Sequence, residues 1–262
     1  MTDHGATSGD ELFLPGLADP DAAEAVRRHG HSPKAAAAQA EVVFGRLHAM
    51  LADAGAAPGD VCKITMQITD RAYRQAVYAV LGRRLAGVFP VSTGLIMAGL
   101  PDPDALFQLD AYVVRGGPHE RFRRYRSTDA PYGLHRQAFV MEFCMAVRAG
   151  RRIYLRGQTG LSLDGSFVGL NDAGAQARQA IQNVRALLAD AGADLSHAVR
   201  LVTYVTDRAH LAPVLAAIEP AFADAPAAST EIVVKGLAAP ELLMEIDVHA
   251  VLWFQPCRAV NV

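Results

Sequence analysis

Cysteine is scarce in this chain: Cys62, Cys144 and Cys257 are odd in number, far apart, and form no CxxC pair. That argues against a disulfide framework and against a structural zinc knot. A surplus of one charge is missing as well. The 25 Lys+Arg against 27 Asp+Glu leave a net charge of −2, so there is no overall basic field for nucleic acid. No apolar run approaches the roughly 18–20 residues that span a bilayer. The polar opening, Met1 to Asp10, lacks the basic-then-apolar pattern of a secretory signal, so a cytoplasmic location is expected. No Walker loop or Rossmann fingerprint occurs, and Gly157-x-x-Gly160 alone carries almost no information. What remains is ordinary globular composition, 51% hydrophobic and 20% charged over 262 residues.

The chain does contain itself twice. Leu51-Ala-Asp-Ala-Gly-Ala56 recurs as Leu188-Ala-Asp-Ala-Gly-Ala193, an offset of 137 residues. At the same offset Thr69-Asp-Arg-Ala72 falls on Thr206-Asp-Arg-Ala209, Ser92-Thr93 on Ser229-Thr230, and Asp110 on Asp247. One gapless offset joining separated matches indicates an internal duplication of domain-sized units. The expected division is 1–115 for the first domain, 116–132 for a linker with four arginines, and 133–262 for the second. Apolar periodicity predicts helices over 35–54 and 173–191, each stopped by a glycine, Gly55 and Gly192. Second helices are predicted over 73–85 and 211–222. Strands are predicted over 12–14, 61–69, 94–98 and 106–114, and over 153–155, 199–206, 231–235 and 242–252. The second copy has an added opening strand over 138–147. The fold class is α+β: two tandem domains, each a mixed β-sheet with two helices packed on one face.

These residues resemble the Rid family, the YjgF-type reactive intermediate deaminases. The resemblance rests on Arg156-Gly-Gln-Thr-Gly160, Ala175-Gln-Ala-Arg-Gln179, Leu188-Ala-Asp-Ala-Gly192, Val202-Thr-Tyr-Val-Thr-Asp207 and Met244-Glu-Ile-Asp-Val248. It covers 138–252 and, more loosely, 12–115, where the opening strand is missing and Pro15-Gly-Leu replaces Ser-Gly-Gln. It implies a chorismate-mutase-like fold, ligand clefts between neighbouring domains, and a homo-oligomer such as a trimer of tandem chains. It also implies a small-molecule substrate; no cofactor is expected, and the charge balance, apolar runs and ligand spacing predict no nucleic-acid, membrane or metal partner.

Family deaminases hydrolyse enamines and imines, and hold the substrate carboxylate with the Arg of Pro-Ala-Arg-Ser. Here Ser92 and Ser229, or Ala228 in a loop one residue longer, replace it in the two halves. The family glutamate thought to position water matches Glu245 in the second half and Gln108 in the first; only the carboxylate accepts a proton at neutral pH. Glu231 replaces a pocket-lining Cys and shares a strand face with Ser229, next to Thr230. If Glu245 lies on the paired strand, Glu231 and Glu245 face one cleft. Arg156, ahead of Gly157, takes the family's Ser position at the mouth of the site, and Phe143 matches a pocket Tyr. The expected site is therefore catalytic Glu245 and Glu231, with Arg156, Gly157, Phe143, Ser229, Thr230, Ser92 and Gln108 binding substrate. His29 and His31 lack a third ligand for a metal.

The leading expectation is a divergent Rid-type enzyme for a small imine, enamine or conjugated carbonyl metabolite. Its reaction would be deamination, hydrolysis or tautomerisation in a dedicated biosynthetic or catabolic step. Alternatives are a non-catalytic small-ligand-binding or assembly protein of the same fold, and a chorismate-type hydrolase. Ribonuclease activity is disfavoured by the neutral charge and the absence of a base-stacking aromatic pattern.

Overall fold

The computed structural model describes residues 6–122 and 143–253. The first unit runs β1 (Ala6–Ser8), β2 (Glu11–Ala18), α1 (Ala22–His29), α2 (Pro33–Asp53), β3 (Val61–Ile68), α3 (Arg74–Arg84), β4 (Val91–Ile96) and β5 (Phe107–Val114). The second runs β6 (His119–Phe122), β7 (Ala146–Ala149), β8 (Arg152–Leu155), α4 (Ala173–Asp190), β9 (Ala198–Val205), α5 (Leu211–Ala221), β10 (Ala228–Val233) and β11 (Met244–Val251). The sheet orders are β1-β2-β5-β3-β4 and β10-β9-β11-β8-β7-β6. Apart from β6, these are the same sheet twice. In each, one pair is parallel, β3 with β4 and β9 with β10, and the rest are antiparallel.

Local chemistry sets the element ends. Ser32 accepts from Ala35 N–H at 3.2 Å and Pro33 starts α2; Asp172 accepts from Ala175 N–H at 2.9 Å to start α4. Gly55 and Gly192 follow the two long helices in the left-handed region, where a glycine is favoured. Four features differ from the sequence reading. The first unit does have a short opening strand, β1, hairpinned onto β2. The helix α1, eight residues with Ala22 and Ala25 buried, is absent from the sequence reading. β4 and β10 each begin three residues early, because parallel pairing to β3 and β9 starts at Val91 and Ala228. Within the expected linker, His119–Phe122 pair with β7 and extend the second sheet. Residues 123–132 of that linker, 138–142 of the expected opening strand, and Cys257 lie outside the described residues.

Each sheet has a helix-bearing face. Ile64, Met66 and Ile68 of β3 meet Val43, Phe44 and Leu47 of α2 in the first core. Met244, Ile246 and Val248 of β11 meet Val184 and Leu187 of α4 in the second. Period-two alternation sends the intervening side chains to the opposite face. The two helix-free faces pack on each other: Cys62, Val91 and Val114 against Val147 and Tyr154, and Leu95 against Val202, Tyr204 and Leu237. Residue Ile96 exchanges two backbone hydrogen bonds with Gly236, which stitches the halves at one end.

Candidate functional site

Between the sheets lies a polar seam. Glu245, Asp247 and His249 alternate along β11 with core residues, so all three point at the first half. Lys63, wholly buried, reaches Asp247 Oδ1 at 3.0 Å and donates to Thr93 Oγ1 at 3.1 Å and the Leu155 carbonyl at 2.9 Å. Thr93 Oγ1 in turn donates to Asp247 Oδ2 at 3.1 Å. Burial alone would raise Asp247; the Lys63 ammonium overrides it and holds the carboxyl below its ordinary value. Two hydrogen bonds and one ion pair around a single ammonium link the halves.

Two residues along the strand, Glu245 is in a different situation. It is 5% exposed and makes no hydrogen bond among the described residues. Burial, reinforced by the Asp247 charge, pushes its carboxyl up to about 8, and the fields of Lys63, Arg156 and Arg74 reverse only part of that. A buried carboxyl of this kind is protonated at neutral pH. It lies directly over Gly157: a Cβ at that position would run into the Glu245 carboxyl group. Gly157 N–H donates to the Ser92 carbonyl at 3.1 Å, so edge strand β4 of the first half forms the facing wall.

Arginines and aromatics line the rest. The Arg156 guanidinium lies 5.3 Å from the Phe143 ring centroid. Phe143 meets Tyr78 edge-on at 6.0 Å, and Arg74 stands 5.0 Å from the Tyr78 centroid. Arg74 Nη1 donates to the Ala238 carbonyl at 2.9 Å. The result is a row of two rings flanked by two cations, and the fields of both cations act on the Glu245 carboxyl.

Of the expected site residues, the structure gathers Glu245, Arg156, Gly157, Phe143 and Ser92. It separates the others. β10 pairs with β9, not with β11, so the expected pairing of the Glu231 and Glu245 strands does not occur. Glu231 lies in register with Thr203, beside Ile246, which faces the helices; the face is therefore the one opposite to Glu245. Ser229, Thr230 and Glu231 are exposed, and Ser229 Oγ donates to Glu231 Oε1 at 2.7 Å. Gln108 lies beside Gly16 in the first half's own sheet. The sequence reading missed Arg74, Tyr78 and the Lys63–Asp247 pair. A signal existed: at the 137-residue offset Arg74 and Tyr78 fall on Leu211 and Leu215. A charge confined to one copy of a repeat marks what that copy alone does.

Among the described residues no group of His, Cys, Asp and Glu could hold a metal ion, and no helix is long and apolar enough to cross a membrane. The family model "Endoribonuclease L-PSP" matches residues 135–252. A chorismatase crystal structure aligns with 95% of this chain and 79% of its own, at TM-score 0.69 and 14% identity, which is a likeness of fold. A YjgF/YER057c/UK114-family protein from Mycobacterium tuberculosis is 27% identical over 52% of this chain and 100% of its own, at TM-score 0.42. Yeast Mmf1 is 24% identical over 42% of this chain and 87% of its own, at TM-score 0.40. No curated protein sequence matches the chain.

Proposed function

We propose that this chain, which belongs to the YjgF/Rid family through residues 135–252, is an enzyme that adds water to a small carboxylated enamine, imine or related conjugated compound. The observation that carries the reading is the buried Glu245 carboxyl lying over Gly157, which is itself bonded to Ser92 of the other half. Its raised value, about 8 despite the fields of Arg156 and Arg74, supports it. Carboxyls with raised values are suited to act as acids at neutral pH. For an enamine, Glu245 gives its proton to the terminal carbon and leaves an iminium. The carboxylate so formed takes a proton from water as the water oxygen bonds to the iminium carbon. Collapse of the carbinolamine releases ammonia and leaves the carbonyl compound. Arg156 and Arg74 hold the substrate carboxylate, which replaces the family arginine from other walls of the same cleft. The same acid would serve hydrolysis of an enol ether, the version suggested by the fold likeness to chorismatase.

The test is ammonia release from freshly generated 2-aminoacrylate and a panel of 2-imino acids, with wild type beside Glu245→Gln. Loss of a positioned acid–base should cost about 10²–10⁴-fold in rate. Turnover in wild type that survives intact in Glu245→Gln overturns the assignment of Glu245. No turnover of any compound, together with cleft binding, favours the ligand-binding reading. Homo-oligomerisation is proposed through β10, the exposed duplicate of covered β4; sedimentation velocity on Val233→Lys tests it.

A further inference from the structure

At the far end of the seam from Glu245, the sheets part around a cavity of about 420 Å³, within the range of small-ligand pockets. Its walls come from the start of β2, the end of β5, the starts of β8 and β9, and the end of β11. Three of its features have no use in the cleft chemistry. The first is an aromatic wall: Phe13 stacks on Tyr112 with ring centroids 4.6 Å apart, and Tyr154 stands behind. The second is a cation without a carboxylate. Arg200 Nη1 donates to Tyr112 Oη at 3.0 Å, and no ion pair is formed with it among the described residues. The remaining charges cancel, since Arg152 Nε donates to Glu11 Oε2 at 2.8 Å and Tyr154 Oη donates to Glu11 Oε1 at 2.8 Å.

The third feature is His249. The residue is 8% exposed, and its ring stands edge-on to Tyr112 at 4.7 Å and to Tyr154 at 5.0 Å. The Nε2 atom is 3.6 Å from Asp247 Oδ1, beyond hydrogen-bond distance, and is buried without a hydrogen-bond partner among the described residues. A buried polar group left without a partner is a cost that a bound molecule can remove.

We propose that this cavity is a second binding site, separate from the Glu245 cleft, for a small aromatic monoanion of one or two rings. Its carboxylate would meet Arg200, its ring would lie on the Phe13–Tyr112 wall, and a polar substituent would reach His249. One unpaired cation specifies a single negative charge, and the rings specify a flat apolar body.

The experiment is isothermal titration calorimetry of the full chain with 2-naphthoate. Neutral 2-naphthalenemethanol tests the charge and cyclohexanecarboxylate tests the ring. The expected result is one saturable site for 2-naphthoate, with both controls weaker. Arg200→Gln should weaken binding by about tenfold or more, as for loss of a charged hydrogen bond, while Glu245→Gln leaves it unchanged. A second readout uses wild type alone: the His249 ring resonances, assigned with His249→Gln, should shift along the same titration. Absence of saturable binding at millimolar ligand overturns the proposal. So do binding indifferent to Arg200→Gln, binding abolished by Glu245→Gln, and unmoved His249 resonances at saturation.

Discussion

Strands β4 and β10 are copies of one element and have opposite surroundings. β4 is buried along most of its length, with Ser92 bonded through its carbonyl to Gly157 and Thr93 bonded to Lys63 and Asp247. β10 is exposed at nearly every residue, and Val233 shows half its surface to solvent. The same pattern extends to the residues around them. Arg74 and Tyr78 sit behind β4, where the second half has Leu211 and Leu215. Glu245 sits over Gly157, where the first half has Gln108 beside Gly16, whose N–H is already taken by Asp110 at 2.7 Å. A cleft here needs an edge strand from one unit and a carboxyl from the next. One chain supplies that combination once, in β4 and Glu245; what is left over is exposed β10 and the amide Gln108.

The contrast can be broken most forcefully at the paired aspartates. Asp247→Ala leaves Lys63 as a buried charge without a counter-ion and should cost about 3–5 kcal/mol in urea unfolding. Its duplicate Asp110 bonds, among the described residues, Gly16 N–H and Gln67, so Asp110→Ala should cost about 1–3 kcal/mol. Equal losses would mean the seam is not what distinguishes the two positions.

Titration gives the next effect. Unfolded Glu245 ionises in the ordinary carboxylate range, whereas the folded group keeps its proton up to about 8. Unfolding therefore releases a proton between those values, and stability falls as pH rises from about 5 to about 8, by a few kcal/mol. Glu245→Gln should flatten that slope, so its melting temperature overtakes wild type at the alkaline end. Parallel pH profiles for the two proteins would contradict the protonated carboxyl.

Arg74→Leu, which makes the first half like the second, should reduce kcat/KM by about 10–100-fold through loss of a charged contact. The fold should survive, since Leu211 occupies the duplicate position. At the smallest end, Glu231→Gln should leave turnover unchanged and stability within about 0.5 kcal/mol, as for an exposed position. A large loss of activity there would restore Glu231 to the site.

The fold was legible because the duplication repeats its own periodicity: one offset aligned helices, strands and stop signals in both halves. Glu245, Arg156 and Gly157 were legible through the family motifs around them. Glu231 was misplaced because alternation along a strand says which residues share a face, not which strand lies next door. The place of Arg74 and Tyr78 in the site was not legible, for a related reason, although their departure from the repeat at Leu211 and Leu215 was there to be read. They follow a turn, on a helix whose other face is core, and their aim is decided by the packing of one half on the other. Proximity across a seam has no period to read.

The bond from Gly157 to the Ser92 carbonyl has a consequence for concentration. Where a cleft is shared between separate subunits, dilution takes the two walls apart. Here both walls belong to one polypeptide, so their encounter is intramolecular and the local concentration of one wall at the other does not fall with the bulk. Specific activity should stay constant down to dilutions at which a subunit-shared cleft would be lost.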